Sequence, residues 1–171
     1  MGPGIYGGNV QRHSGTGEVV IGQQYQNHNP VPGPVYAGTG YSLMSRAVHA
    51  GPEAVARVLA DHPALATETT TGGATPLHVC GMSRTGQRSV GPLVAAGADV
   101  EARDTYGFTP LHRMASNNLA DGARALLEAG ADPMPAAAGR GGGGGATPLA
   151  IAAESRARET MEVLKKHGAV R

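Results

Sequence analysis

A Thr-Pro-Leu block recurs three times along this chain, and its spacing constrains the fold more than any other feature. The copies are ATPLHVCG from Ala74, FTPLHRMA from Phe108 and ATPLAIAA from Ala146. Their leucines lie 34 and then 38 residues apart, at Leu77, Leu111 and Leu149. A step of 34 residues back from Leu77 leads to Leu43, in the more divergent block YSLMSRAV. Repetition at this period predicts one supersecondary unit per repeat, stacked against its neighbours.

A second block recurs in phase with the first, as AAGADV at 95–100, EAGADP at 128–133 and KHGAVR at 166–171. Each Thr-Pro pair predicts a helix start, because threonine caps a helix and proline fits its first position. A second helix is predicted over 121–130, with an inward stripe of Ala123, Leu126 and Leu127 and with Gly130 as its left-handed C-terminal residue. No single unit buries such a stripe alone, so the units must stack.

These motifs together, TPLH, LLEAGAD and a turn of the form D-x-x-G, resemble the ankyrin repeat. The resemblance covers residues 41–171 and implies an all-α solenoid of stacked helix pairs with projecting β-hairpin fingers. The repeats would span approximately 41–69, 70–103, 104–136 and 142–171. Two departures mark the ends, Tyr41-Ser42 in place of Thr-Pro and Ala150 in place of histidine. Pro92 is expected to shorten or restart the second helix of the second unit.

Residues 1–40 differ from the rest of the chain and predict a mostly irregular N-terminal arm. Their only formal charges are Arg12 and Glu18, among many Gly, Pro, Asn and Gln residues. EVVI at 18–21 is the one credible short strand. Two interpretations stay open: a disordered tail, or an arm that docks on the main domain or on a partner, anchored by Tyr6, Tyr25 and Tyr36.

The stretch GRGGGGGATPLA at 139–150 formally contains G-x-G-x-x-G at Gly139, Gly141 and Gly144. A dinucleotide-binding loop requires a buried strand before the glycines and an acidic residue well after them, and both signals are missing. A P-loop requires G-K-[ST], which is also missing. The longer interval between Leu111 and Leu149 instead predicts an insertion near 137–145 that lengthens one finger.

No combination of residues predicts catalysis, a metal site or a bound cofactor. The resemblance implies that His78 and His112 are structural and hydrogen-bond to backbone between neighbouring units. His78 and Cys80 together provide too few ligands for zinc, and Cys80 is expected to be a small core residue. No nucleophile motif is present. We therefore expect a protein that is not an enzyme and has no small-molecule substrate.

Charge and hydropathy limit the classes of partner. A formal net charge of +1 disfavours nucleic acid, and no segment approaches the roughly 20 apolar residues that cross a bilayer. The first residues lack the pattern of a signal peptide, and one cysteine cannot form an internal disulfide. An intracellular location, cytoplasmic or nuclear, is expected, with a protein as partner.

The resemblance implies a module that binds a partner protein through a concave surface of fingers and first helices. Carried over by position, the surface comprises Thr71, Gly72, Ala74, Met82, Ser83, Thr105, Tyr106, Phe108, Ser116 and Asn117. Tyr106 and Phe108 are the expected centre, because aromatic side chains contribute most contact area, although Phe108 packing inside its finger is an open alternative. The alternative function is a structural or accessory subunit of a larger assembly that contacts its neighbours mainly through the N-terminal arm.

Overall fold

The computed structural model describes residues 33–137 and 145–170. The strand expected at 18–21, Tyr6, Tyr25 and most of the glycine run lie outside these residues. The described chain forms eight α-helices: α1 (Leu43–Ala50), α2 (Pro52–Asp61), α3 (Pro76–Cys80), α4 (Val90–Ala95), α5 (Pro110–Ser116), α6 (Ala120–Glu128), α7 (Pro148–Glu154) and α8 (Arg158–Lys166). Two 3-10 helices, Pro63–Thr67 and Gly86–Ser89, and two short strands, β1 (Val35–Tyr36) and β2 (Thr69–Thr70), complete it. The predicted all-α solenoid of helix pairs is confirmed.

The first helix of each unit begins where the repeated block predicts. Pro76, Pro110 and Pro148 are the first residues of α3, α5 and α7, and the preceding threonines have extended backbone. In the divergent first unit, Ser42 takes the capping role, and its Oγ accepts a hydrogen bond of 3.1 Å from the backbone N–H of Ser45. A serine therefore replaces the Thr-Pro pair without loss of the cap.

The units stack side by side around one apolar core. Helix α3 packs against α1 and α5, and α5 packs against α7, while α6 contacts α4 and α8. Ala123, Leu126 and Leu127 are all buried on α6, so the predicted inward stripe is confirmed. Gly130 follows α6 with a φ of +98°, a left-handed conformation that glycine adopts at little cost.

Pro92 shortens the second helix of the second unit, as predicted. The segment begins as the 3-10 helix Gly86–Ser89, and α4 then runs only from Val90 to Ala95. Pro92 lies in the first turn of α4, where its missing N–H has no intrahelical partner to lose. The helix survives because the proline stands near its start and not in its interior.

The same backbone hydrogen bond recurs in three fingers, across the turn that precedes each Thr-Pro. The N–H of Thr70 donates to Ala74 O at 2.9 Å, and the N–H of Asp104 donates to Phe108 O at 3.0 Å. In the last finger the N–H of Ala137 donates to Ala146 O at 3.1 Å. The bond that closes the finger is thus the same, although eight residues of the sequence separate its two partners in the last finger and three separate them in the preceding one.

Residues 35–40 occupy in the first unit the positions that 69–74 occupy in the second. Strands β1 and β2 pair in parallel, with Val35 opposite Thr69 and Tyr36 opposite Thr70, which is the 34-residue period again. The Tyr36 ring is buried, and its hydroxyl donates to Thr39 O at 3.1 Å. We therefore propose that the first unit begins near Val35 and not at Tyr41. The two interpretations of the segment before Val35, a disordered tail and a docking arm, concern mainly residues that lie outside the described ones.

Candidate functional site: the concave face

His78 of α3 and His112 of α5 each hydrogen-bond to the finger of the following unit. The backbone N–H of Thr75 donates to Nδ1 of His78 at 3.1 Å, so this ring nitrogen is an acceptor and Nε2 carries the proton. Nε2 then donates to Phe108 O at 2.7 Å. His112 repeats the pattern, accepting from Thr109 N at 3.0 Å and donating to Ala146 O at 2.9 Å. The structural role implied by the resemblance is confirmed.

Burial keeps both imidazoles neutral. Desolvation lowers the pKa of His78 to about 4, although the hydrogen bond to Phe108 O opposes this shift. The pKa of His112 is also lowered, again mainly by burial. A proton added at Nδ1 would place two donors face to face, which the threonine N–H cannot accommodate. Neither ring therefore brings a charge to the concave face near neutral pH.

Asp104 shapes the third finger from within. Its carboxylate is buried, and Oδ1 accepts hydrogen bonds from the backbone N–H of Tyr106 at 2.9 Å and of Phe108 at 3.0 Å. Oδ2 accepts from Nη2 of Arg113 at 2.6 Å, in an ion pair between finger and helix. The Asp104 carboxylate therefore stabilises the finger turn through Oδ1 and holds Arg113 of α5 through Oδ2.

Arg113 is also held from the side by an aromatic ring. Its guanidinium carbon lies 5.2 Å from the centroid of the Phe108 ring, within the range of a cation–π interaction. The Phe108 ring is in turn 5.4 Å from the His112 ring. Arg113, Phe108 and Asp104 thus form one cluster, in which the ion pair and the aromatic ring hold the guanidinium in place.

Two hollows flank α5 on the concave face. The first, of about 350 Å³, lies between α3 and α5 and is lined by Ala74, His78, Val79, Met82, Arg113 and Asn117. The second, of about 240 Å³, lies between α5 and α7 and is lined by Phe108, His112, Arg113, Ser116 and Ile151. Arg113 borders both, so the two hollows adjoin at this side chain.

Residues 86–170 match a family model described as ankyrin repeats in three copies. This chain is an ankyrin repeat protein. A search of the curated proteins found no match. Ankyrin repeats generally mediate protein–protein interaction and are typically non-enzymatic. The matched residues include all of α5 and α7, which border the second hollow.

Half of the residues predicted for the binding surface of this ankyrin repeat protein line the hollows. Ala74, Met82 and Asn117 border the first, and Phe108 and Ser116 border the second. Phe108 is half-buried between Arg113 and His112, whereas the side chain of Tyr106 is 57% exposed. The centroids of the two aromatic rings lie 6.5 Å apart, so the fingertip ring adjoins the second hollow.

The other predicted residues lie on the fingers or in loops. Thr71, Gly72 and Thr105 are exposed, and the N–H of Thr105 donates to Gly72 O at 3.0 Å, which joins two successive fingers. The Ser83 hydroxyl accepts from Gly86 N at 2.9 Å and so closes its own loop. It contributes to neither hollow.

Sequence reasoning did not identify three of the residues that line the two hollows. Val79, Arg113 and Ile151 each stand directly after the fourth residue of a Thr-Pro-Leu block, and all three line the hollows. The available signal was positional, because this place in the repeat holds a different residue in each of the three units.

We also searched the described residues for a metal site, a reactive thiol and a membrane-spanning helix. Among them, no group of three or more His, Cys, Asp or Glu side chains is arranged to hold a metal ion. Burial raises the pKa of the Cys80 thiol to about 12, so the thiol stays protonated in the core. Over the same residues, no helix has the length and hydropathy that crossing a membrane requires.

Proposed function

We propose that this protein is a non-enzymatic module that binds a partner protein in the two hollows and on the fingertips beside them. The observation that carries the proposal is the pair of adjoining hollows on either side of α5. They provide a concave site whose lining is largely apolar with a few convergent polar groups, which is the usual character of binding sites. Of the four large hydrophobic side chains that are exposed within 33–137 and 145–170, two lie at this site, Met82 and Tyr106.

The order already present in the site supports binding. Buried hydrogen bonds fix His78, His112 and Asp104, and Asn117 donates to Gly81 O at 2.7 Å across α3 and α5. A site that is ordered before binding loses less conformational entropy when a partner arrives. The fingertip aromatic Tyr106 then offers contact area with only two rotatable side-chain bonds.

Tyr106→Ala is expected to weaken partner binding by about 1–2 kcal/mol, because it removes an exposed aromatic anchor. The free energy of unfolding should change little, since the ring is 57% exposed and the backbone bond to Asp104 remains. The partner is recovered by affinity purification with mass spectrometry, and its Kd is measured by isothermal titration calorimetry.

Val170→Ala is the matched control, because Val170 is 67% exposed but stands at the far end of the last unit. It should leave the Kd unchanged. If Tyr106→Ala also leaves the Kd unchanged, the fingertip is not part of the interface. Protection of residues 1–32 from hydrogen exchange in the complex would then favour the alternative, in which the arm makes the contact.

A further inference from the structure

The two hollows and the arginine between them define the kind of segment that fits. Resting on the proposed function, we propose that the site binds an extended segment of a partner protein in which an acidic side chain is flanked by apolar side chains. The acidic side chain pairs with Arg113, and the two apolar side chains enter the hollows on either side of α5.

Arg113 has donors to spare. Its guanidinium has five N–H donors in a planar fork, and only the bond from Nη2 to Asp104 is made within 33–137 and 145–170. The side chain is 39% exposed, so the remaining donors are accessible. Asp104 and Phe108 already hold the fork, so a carboxylate that binds it does not have to order the arginine first.

The exposed charge of the lining is positive. Arg113 is the only charged side chain that borders either hollow in the described part of the chain. The two histidines of the lining are neutral, because their Nδ1 atoms accept backbone hydrogen bonds. Asp104 lies beneath the guanidinium and is 2% exposed, so an arriving carboxylate meets the arginine first.

The flanking surfaces are apolar and are separated by one helix. Ala74, Val79 and Met82 contribute to the first hollow, and Phe108 and Ile151 contribute to the second. Packed helices lie about 8–10 Å apart, and an extended chain rises about 3.3 Å per residue. Alternate side chains of an extended chain face the same side, so the segment that fits has apolar residues two positions before and two positions after the acidic one, about 13 Å apart, which reach over α5 to both hollows.

A random peptide library displayed with both ends joined to a carrier protein tests this proposal on the full chain. Because both ends are blocked, a free C-terminal carboxylate cannot substitute for an acidic side chain. We expect selected peptides to carry Asp or Glu flanked by apolar residues. Replacing that acid by its amide in a synthetic copy of the most enriched peptide should weaken binding about tenfold, the usual effect of losing a hydrogen-bonded charge.

A double-mutant cycle separates a direct contact from a general loss of fold. On the Arg113→Met chain, the acid and amide peptides should bind equally, since the charge and the fork are both removed. Arg113→Lys should retain part of the preference, because a lysine keeps the charge without the fork. Arg124→Met is the control: Arg124 is exposed on α6 and pairs only with Asp121 there. If Arg113→Met does not fold, the Lys variant provides the same comparison.

The proposal is overturned if selected peptides lack acidic residues, if no peptide is selected, or if the amide peptide loses the same affinity on the wild-type and Arg113 variant chains. If Met82→Ala still weakens binding of the partner in those cases, the concave site remains supported as the binding site. If neither Met82→Ala nor Tyr106→Ala weakens the binding of the peptides or of the partner, the proposed function itself is contradicted.

Discussion

Acidification is expected to lower the free energy of unfolding by about 3 kcal/mol through His78 alone. The unfolded chain takes up a proton at this residue near pH 6.5, whereas the folded chain does so only near pH 4. The folded-state pKa of this base is depressed, so its full contribution to stability is present above pH 6.5. That contribution is lost progressively as the pH falls from 6.5 to about 4, and the loss is complete below. His112, whose pKa is also lowered, adds to the loss in the same direction.

Urea unfolding followed by circular dichroism at a series of pH values from about 7 to about 5 should show about 2 kcal/mol of this loss before most carboxylates titrate. A His78→Ala, His112→Ala double variant is the comparison. It should be less stable at neutral pH, because the carbonyls of Phe108 and Ala146 each lose their imidazole donor and keep only the backbone N–H that closes the finger. Its stability should also depend less on pH. An equal pH dependence in both proteins would show that other groups are responsible.

Gly81→Ala is expected to destabilise the stack by about 2 kcal/mol, because overpacking a close contact forces backbone shifts. A Cβ at this position would lie 2.5 Å from Cβ of Arg113 and 3.2 Å from its carbonyl carbon. Gly81 has a φ of −74°, so the constraint is space and not backbone conformation. Relief of the clash must push α5 away from α3, which widens the first hollow and displaces Arg113. Affinity for the partner should therefore fall with stability.

Gly91→Ala provides the matched control, since a Cβ there meets nothing within 4 Å. Gly91 lies in α4 and is exposed, and alanine favours a helix over glycine by up to about 1 kcal/mol. This variant should be equally stable or more stable than the wild type, with unchanged affinity. Chemical denaturation of both variants gives the comparison. A Gly81→Ala protein as stable as Gly91→Ala would contradict the close approach of α3 and α5.

The periodic features of the fold could be predicted from the sequence because they depend on local chemistry. The three Thr-Pro pairs of this chain each start a helix, and the α6 stripe follows from helical spacing. The first finger escaped prediction because it depends on backbone pairing: β1 joins β2 in parallel without a side-chain pattern.

The site was harder to predict than the fold, because it depends on distances between units and within a folded finger. Asn117 stays a predicted contact residue and lines the first hollow, but the sequence could not show that its amide also donates to Gly81 O at the end of α3. Arg113 was missed because its position is defined by Asp104 and Phe108, which approach it only when the finger folds back on α5. The Asn117 bond joins two repeats, whereas the Arg113 cluster lies within one repeat and forms only when its finger has folded.

The last finger has a practical consequence for protein engineering. Ala137 and Ala146 keep the closing bond of a short finger, and His112 binds Ala146 O just as His78 binds Phe108 O. The entropy of closing a loop rises slowly with its length, by about 0.6 kcal/mol for each doubling. A foreign sequence spliced between these two alanines should therefore be tolerated by the stack. This interval is the natural place to graft a fluorophore or an affinity tag that reports on the neighbouring binding face.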